Sequence, residues 1–233
     1  MSARTAIVTG ASTGLGRAVA HHLAAAGWAL VVDARTAADL DRVATELRAG
    51  GATVTALAGD VTDAAHRRDL VAAAGERIDL LVASAGTLGP HPLPRLADLD
   101  LADLERTLRT NVVAQVGLAQ EALPALRAAG GVVVVVTSDA AVEGYAGWGA
   151  YGASKAGVEQ AAHVLGVEEP GLAVYRFDPG DLRTRMHAAA FPGEDISDRP
   201  APEAVAPAIR HLAERRPPSG RYRAAELVGE VRA

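Results

Sequence analysis

The sequence contains no cysteine and few aromatic residues. Without cysteine, the chain cannot hold a disulfide framework, a thiolate nucleophile, an iron–sulfur cluster or a cysteine-based zinc site. Aromatic residues make up 3% of the chain, whereas hydrophobic residues make up 49%. The core must therefore be built mainly from Ala, Val and Leu, whose small side chains let helices lie close to the surface that they cover.

The chain also lacks a long apolar run and an excess of positive charge. It contains no run of about 18 apolar residues, as a membrane helix needs, and its amino terminus shows no signal-peptide pattern. Its 23 Lys and Arg residues are outnumbered by 28 Asp and Glu, for a formal net charge of −5. Nucleic-acid binding needs clustered positive charge. We therefore expect a cytoplasmic protein with neither a membrane nor a nucleic-acid partner.

Short apolar runs alternate with longer helical patterns through most of the chain. The runs that predict buried strands are residues 6–8, 30–32, 53–57, 78–82, 132–136 and 172–177. Because these runs show little polar alternation, both faces of the sheet are expected to be covered. The pattern predicts a doubly wound α/β fold, with a parallel sheet and helices on both faces. With 233 residues and no linker, the chain is expected to form a single domain over residues 1–233.

Apolar residues at helical spacing lie between the predicted strands. The predicted helices include residues 40–47, 64–75, most of 101–129, 150–169 and a last helix at 201–215, and the first helix ends near residue 26. Residues 186–199 contain a proline, a glycine and several charges, which is typical of a surface loop. We expect a substrate lid at about residues 181–200.

A glycine-rich segment, Thr-Gly-Ala-Ser-Thr-Gly-Leu-Gly, joins the first strand to the first helix at residues 9–16. Glycines allow a tight turn, and the free N–H groups of the following helix favour a pyrophosphate. Glycine-rich turns after strands are common, but this one lies in the first strand–turn–helix unit, where a dinucleotide site requires it. The candidate cofactor-binding residues of this segment are Gly10, Ser12, Thr13, Gly14, Leu15 and Gly16.

The end of the second strand offers two residues that could contact the adenosine ribose. Asp33 could accept a hydrogen bond from the 2′-hydroxyl of NAD, and Arg35 could bind the 2′-phosphate of NADP. Because strand side chains alternate, both would lie on one face. The pattern alone leaves the choice of cofactor open.

Tyr151 and Lys155 lie four residues apart in a predicted helix, so their side chains share one face. The pKa of a free tyrosine is about 10, and a neighbouring ammonium lowers it because the positive charge stabilises the phenolate. The pair is a candidate general acid/base with its activator, although this spacing is also common in surface helices. Ser138 follows the five-valine run, at the sheet edge where doubly wound folds bind ligands. The histidines show no metal-ligand spacing, so no metal site is predicted.

Together these motifs resemble those of the short-chain dehydrogenase/reductase family, whose fold is of the Rossmann type. The matches occur in the family's order from residue 9 to about residue 186. They are the glycine-rich segment, Asp60 and Val61, Asn111, Ser138, Tyr151 and Lys155, Pro179 and Gly180, and Thr184.

The resemblance implies an NAD(P)(H)-dependent oxidoreductase that transfers a hydride between the nicotinamide and a secondary alcohol or ketone. Tyr151 would be the general acid/base, and Lys155 would lower its pKa and hold the nicotinamide ribose. Ser138 would bind the substrate oxygen, and Asn111 would hold a water of a proton relay.

The resemblance also implies how the cofactor is held. Asp60 and Val61 would contact the adenine, and Thr184 would contact the nicotinamide carboxamide. Ala34 stands where NAD-dependent members carry an acidic residue, and Arg35 stands where NADP-dependent members carry a basic one. NADP(H) is therefore favoured, with NAD(H) as the alternative.

The expected partner is a small carbonyl compound or alcohol, and the resemblance implies a homodimer or homotetramer. Tyr145 and Trp148 precede Tyr151 and would either line the substrate pocket or pack against their neighbours. The alternative function is a catalytically silent redox sensor or scaffold that binds the cofactor on the same fold. Such a protein would be expected to have a broken set of Ser, Tyr and Lys, whereas the set here is intact.

Three features depart from the family pattern. Residues 83–86 are Ala-Ser-Ala-Gly where the family carries two asparagines, so loop rigidity or cofactor contacts could differ. The segment between Lys155 and Pro179 is about one helical turn shorter than is usual, which could alter a dimer interface. Residues 219–223 lack the acidic residue and glycine pair that usually close the last strand, so a tetramer is less expected than a dimer.

Overall fold

Seven strands form one parallel sheet in the computed structural model, which describes residues 3–231. The strands are Thr5–Val8 (β1), Ala29–Ala34 (β2), Val54–Ala58 (β3), Leu80–Ala83 (β4), Val132–Val136 (β5), Ala173–Asp178 (β6) and Gly220–Arg223 (β7). Their order across the sheet is β3-β2-β1-β4-β5-β6-β7, and every neighbouring pair is parallel. The predicted doubly wound, Rossmann-type fold is confirmed.

Helices occupy most of the chain between the strands. The α-helices of the described residues are Gly14–Ala25 (α1), Ala37–Ala49 (α2), Ala64–Ala74 (α3), Leu101–Leu108 (α4), Ala114–Ala129 (α5), Gly149–Glu168 (α6), Arg185–Ala190 (α7), Pro202–Arg215 (α8) and Ala224–Val231 (α9). Asp63 and Asp100 cap α3 and α4, because each carboxylate accepts a hydrogen bond from a first-turn N–H group. None of the helices within residues 3–231 combines the length and the apolar character needed to cross a membrane.

The two faces of the sheet are covered by different helices. In β1, Ala6 and Val8 pack into a cluster with α1, α2 and α8, whereas Ile7 packs into a second cluster with α3, α5 and α6. This division follows from the alternation of side chains along a strand. Burying one Val or Leu side chain contributes roughly 1.5–3 kcal/mol, so the two clusters together supply most of the driving force for folding.

The structure corrects two expectations near the carboxyl terminus and adds a seventh strand to the six that were predicted. Residues Arg185–Ala190 form helix α7 inside the segment predicted to be a loop. Helix α8 is not the last helix, because β7 and α9 follow it. Strand β7 has the sequence Gly-Arg-Tyr-Arg, which lacks an apolar run, and it is held in the sheet by pairing with β6. The missing acidic residue and glycine pair therefore do not prevent a seventh strand.

The strand order creates a crevice at the carboxyl edge of the sheet. β1 lies between β2 and β4, so the connections from the middle of the sheet run in opposite directions. In doubly wound folds, ligands bind outside the carboxyl ends of the strands at this switch point. The ends of β1, β2, β4, β5 and β6 all reach this edge, which places the segments that follow them around one crevice.

Candidate active site

One cavity of about 660 Å³ occupies the carboxyl edge of the sheet, from the glycine-rich segment to helix α7. Its volume is typical of a small-molecule or cofactor site. All the predicted site residues except Asn111 line it, namely Gly10, Ser12, Thr13, Gly14, Leu15, Gly16, Arg35, Asp60, Val61, Ser138, Tyr151, Lys155 and Thr184. The fold therefore brings together residues that are up to about 170 positions apart in the sequence.

The glycine-rich segment has the geometry that a phosphate group requires. Gly10 and Gly14 adopt positive φ angles of 67° and 54°, which other residues rarely adopt. A Cβ on Gly10 would come within 3.0 Å of the Ala85 backbone. No side chain caps the first turn of α1, since its N-cap residue Thr13 makes no such hydrogen bond. The open N–H groups and the helix dipole fit a pyrophosphate at this point.

Thr9 holds the segment at residues 83–86, where the family's asparagines are absent. Its hydroxyl oxygen accepts hydrogen bonds from the N–H groups of Ser84 and Ala85, each at 3.0 Å. The side-chain amide of Gln115 donates to the Ala85 carbonyl oxygen at 2.9 Å. Side chains from two other elements therefore fix this loop beside Gly10 without an asparagine amide.

Asp33 is almost completely buried, and its carboxylate is used within the protein. One oxygen accepts a hydrogen bond from the Gly10 N–H group at 2.9 Å, and the other lies 3.2 Å from Nε2 of His66. Arg35 is exposed and lines the cavity two residues further along. Asp33 thus supports the glycine-rich segment, while the basic side chain of Arg35 faces the crevice.

The contact between Asp33 and His66 predicts a pH-dependent contribution to stability. The hydrogen bond to Asp33 raises the pKa of His66 above its ordinary value of 6.5. A raised folded-state pKa means that the stabilisation is complete below the unfolded pKa and is lost as the pH rises through the folded one. Replacing His66 with Gln should therefore cost about 1–2 kcal/mol of unfolding free energy near pH 6 and less near pH 9.

Urea unfolding of the wild type and of His66→Gln at both pH values measures this difference. The exposed His163 on α6 provides the control, because His163→Gln should change the unfolding free energy little at either pH. A cost of His66→Gln that is equal at both pH values would argue against a charged pair.

Tyr151, Lys155 and Ser138 meet near the middle of the cavity. Tyr151 and Lys155 are 8% and 5% exposed and project from one face of α6. The Lys155 ammonium donates to the Val136 carbonyl oxygen at 2.8 Å and lies 5.6 Å from the centroid of the Tyr151 ring. The Ser138 hydroxyl lines the same cavity and donates to Asp139 at 2.8 Å.

Burial dominates the ionisation of both groups on α6. It raises the pKa of Tyr151 to about 12, although the neighbouring Ser138 hydroxyl acts in the opposite direction. It lowers the pKa of Lys155 to about 8. The Lys155 ammonium is directed to a backbone carbonyl, and its expected lowering of the Tyr151 pKa stays a prediction. Tyr151 therefore carries its proton at neutral pH.

Asn111 lies behind the cavity rather than in its wall. It is fully buried in the π-helical turn Arg109–Val113 between α4 and α5. Its amide nitrogen donates to the Thr87 carbonyl oxygen and to the Ser154 hydroxyl, each at 2.8 Å, and its oxygen accepts from the Thr87 N–H group at 2.8 Å. A π-helical turn widens the helix locally and is frequent at functional sites. Asn111 thereby connects α6 to the loop beyond β4.

The cavity wall beside Tyr151 is apolar, and the sequence analysis identified only part of it. Trp148 packs edge-to-face on Tyr151 with 5.5 Å between ring centroids, and Phe191 lies 5.8 Å from Trp148. Leu88 and Ala190 pack into the same cluster, so α7 closes against this wall. Helix α7 is too short for its apolar residues to show a recognisable helical spacing in the sequence.

Tyr145, the other predicted candidate for the pocket wall, lies elsewhere. It is 42% exposed, and its hydroxyl donates to the carboxylates of Asp139 and Glu143 at 2.9 and 3.0 Å. It is absent from the cavity lining. Of the two aromatic residues that precede Tyr151, only Trp148 borders the pocket.

Comparison with known proteins identifies the family of this chain. The short chain dehydrogenase family model matches residues 4–195. The glycine betaine reductase ATRR of Emericella nidulans is 34% identical over 84% of this chain, but the match spans only 16% of that protein. The chloroplastic NADPH-dependent aldehyde reductase-like protein of Arabidopsis thaliana is 32% identical over 80% of this chain and 75% of that protein.

A solved structure of similar fold extends the comparison to nearly the whole chain. The crystal structure of a short chain dehydrogenase from Shigella flexneri 2a, complexed with NADP, superposes with a TM-score of 0.89 at 29% identity. The superposition covers 95% of this chain and 97% of that one. The chain therefore belongs to the short-chain dehydrogenase family of oxidoreductases.

Proposed function

We propose that the protein is an NADPH-dependent reductase that interconverts a ketone and its secondary alcohol. The observation that carries this proposal is that the buried Tyr151 shares one cavity with Ser138 and with the glycine-rich segment. A proton donor at one end and a phosphate-binding turn at the other fit the two substrates of such a reaction. The comparisons with short-chain dehydrogenases support the same reaction class.

The residues on α6 would perform the proton chemistry. Bound NADPH supplies the hydride that reaches the carbonyl carbon. Tyr151 would donate its hydroxyl proton to the carbonyl oxygen, and Ser138 would hold that oxygen by a hydrogen bond. The ammonium of Lys155 would stabilise the resulting phenolate until a proton from solvent restores it. Because the pKa of Tyr151 is raised to about 12, its resting form is the acid that carbonyl reduction requires.

The ends of β2 and β3 would hold the adenosine part of the cofactor. Arg35 is exposed in the crevice, as a group that binds the 2′-phosphate of NADPH must be. Both oxygens of Asp33 are engaged by Gly10 and His66, so they are not directed to the ribose 2′-hydroxyl of NADH. Asp60 and Val61 line the same end of the cavity and would contact the adenine.

A charge removal at Arg35 tests the cofactor preference. One charge-assisted hydrogen bond to a phosphate contributes about 2 kcal/mol, which corresponds to roughly a 30-fold change in Kd. We expect Arg35→Ala to weaken NADPH binding by about this factor and to leave NADH binding within about twofold. Calorimetric titration of both cofactors measures the effect. The control is Arg42→Ala, an exposed position on α2 outside the cavity; equal losses for NADPH and NADH would contradict the proposed role.

The substrate is proposed to be an apolar or mid-sized carbonyl compound, because Leu88, Trp148 and Ala190 form the wall beside Tyr151. The direct experiment first measures the increase in melting temperature with NADPH and with NADH. A panel of ketones and aldehydes is then screened for loss of the NADPH absorbance. Stabilisation by NADPH without turnover of any carbonyl compound or alcohol would instead favour the catalytically silent redox sensor or scaffold.

The proposal includes the roles of the site residues and the oligomeric state. The single domain with a lid at about residues 181–200, the cytoplasmic location and a homodimer or homotetramer are predictions from the sequence and the family resemblance. Light scattering of the purified protein distinguishes a dimer from a tetramer.

A further inference from the structure

Arg221 on β7 lies among polar groups from three other elements. Its Nη2 atom donates to Asp178 Oδ2 at 2.9 Å and to the backbone carbonyl of Ser138 at 3.1 Å. Its Nε atom lies 3.1 Å from Glu159 Oε1. The Arg221 side chain is 19% exposed, and the side chains of Asp178 and Glu159 are 5% and 10% exposed. One guanidinium thus contacts two nearly buried carboxylates, of which Glu159 also lies 3.9 Å from Arg176.

Through Glu159, this cluster is connected to Tyr151, the proposed general acid. Glu159 follows Lys155 by four residues and Tyr151 by eight, so all three lie on one face of α6. Glu159 also accepts a hydrogen bond from the Thr137 hydroxyl at 2.7 Å. Thr137 immediately precedes Ser138. Arg221 and Glu159 therefore hold the backbone at Ser138 against the face of α6 that carries Tyr151.

Through Asp178, the cluster is connected to the start of the segment expected to form the lid. Asp178 is the last residue of β6 and lines the cavity. Its second carboxylate oxygen accepts a hydrogen bond from the Gly180 N–H group at 3.0 Å. Gly180 immediately precedes the segment expected to form the lid. The same guanidinium that contacts the Ser138 carbonyl thus also fixes the point where the chain leaves the sheet towards α7.

We propose that Arg221 is a positioning residue for the reaction, which holds Ser138 in register with Tyr151 and orients the start of the lid. This inference rests on the proposed reductase function. A planar guanidinium can direct separate N–H groups at two carboxylates and a carbonyl, whereas a lysine ammonium acts as a compact point charge on a flexible stem. Loss of the guanidinium also leaves two buried carboxylates without their shared partner.

The first test replaces Arg221 with Met, which keeps an unbranched apolar stem and removes the guanidinium with its hydrogen bonds. A small misplacement of reacting groups lowers the rate by up to about a hundredfold, so we expect kcat to fall about 10- to 100-fold. The KM for NADPH should stay within about threefold, because the glycine-rich segment lies at the other end of the cavity.

Arg223 provides the matched control on the same strand. Its side chain is 51% exposed and reaches Asp178 only at 4.0 Å. Arg223→Met should leave kcat within about twofold of the wild type. If Arg221→Met and Arg223→Met have the same kcat, the proposal is overturned.

A second variant separates positioning from stability. Arg221→Lys keeps the positive charge but cannot satisfy all three partners at once. We expect its melting temperature to be close to that of the wild type while kcat remains reduced by about tenfold. If Arg221→Met does not fold, this variant decides the question. A folded Arg221→Lys with wild-type kcat would show that only the charge matters and would overturn the proposal.

Hydrogen exchange provides a test that needs no turnover. In Arg221→Lys, peptides covering residues 137–142 and 178–184 should exchange about tenfold faster, while those covering α1 should not change. Arg223→Met should leave both regions unchanged. Uniformly faster exchange, or no local change, would overturn the positioning role. If the wild type turns over no carbonyl compound, the proposed reductase function fails, and the exchange result still decides whether Arg221 positions these segments.

Discussion

Replacing Tyr151 with Phe should reduce kcat by about a thousandfold. The substitution removes only the hydroxyl, so the aromatic ring that packs on Trp148 is kept. A positioned general acid contributes roughly 10²- to 10⁴-fold to a rate. The affinity for NADPH should stay within a few-fold, because the groups proposed to bind the phosphates lie on α1 and β2. Steady-state kinetics with the best carbonyl substrate, together with calorimetric titration of NADPH, measures both quantities.

Tyr145→Phe is the control for this experiment, since Tyr145 lies six residues earlier and outside the cavity lining. Its hydroxyl is hydrogen-bonded to the carboxylates of Asp139 and Glu143. We expect its kcat to remain within about threefold of the wild type. Substantial carbonyl reduction by Tyr151→Phe would exclude Tyr151 as the proton donor.

Replacing Gly16 with Ala should disrupt both cofactor binding and stability. A Cβ at this position would collide with the Gly10 carbonyl, lying 2.9 Å from its carbon, and would come within 3.1 Å of the Thr9 carbonyl oxygen. These are backbone atoms, so the whole turn must move. Overpacking of this kind costs about 1–3 kcal/mol. We expect a lower melting temperature and at least roughly tenfold weaker NADPH binding, measured by thermal unfolding and titration.

Helix propensity alone would predict that Gly16→Ala stabilises the protein, which is the opposite of the effect expected here. Ala in a helix interior is favoured over Gly by about 1 kcal/mol, so Gly16→Ala would stabilise α1 if the space were free. Gly157 on α6 is the control, because its Cβ would meet only a Val112 methyl group at 3.4 Å. Gly157→Ala should be neutral or stabilising and should leave NADPH binding unchanged. An unchanged Kd in Gly16→Ala would show that the turn does not hold the cofactor.

The sequence predicted those parts of the molecule whose signals are local. Apolar runs identify the central strands β1, β4 and β5 because a strand buried on both faces needs apolar residues at successive positions. The order of glycines identifies the turn after β1 because no other residue adopts that backbone easily. The spacing of Tyr151 and Lys155 places both on one helix face, and the structure brings both into the cavity.

The remaining features depend on contacts between distant segments. The carboxylate of Asp33 could equally have faced a ribose, and only its contacts with Gly10 and His66 reveal its position. Strand β7 has no apolar pattern, so the place of Arg221 follows from pairing with β6. The raised pKa of Tyr151 results from its burial, which depends on segments distant in the sequence.

Helix α6 carries Tyr151, Lys155 and Glu159 on successive turns, whereas the substrate wall is completed by residues of loops and of α7. The distances along α6 are set by helix geometry, at about 5.4 Å per turn, and do not change when a loop is altered. Insertions or substitutions at residues 181–200 can therefore alter the shape of the pocket without moving Tyr151. If the proposed function holds, a new substrate range can evolve by exchange of this segment alone, while the groups on α6 stay in place.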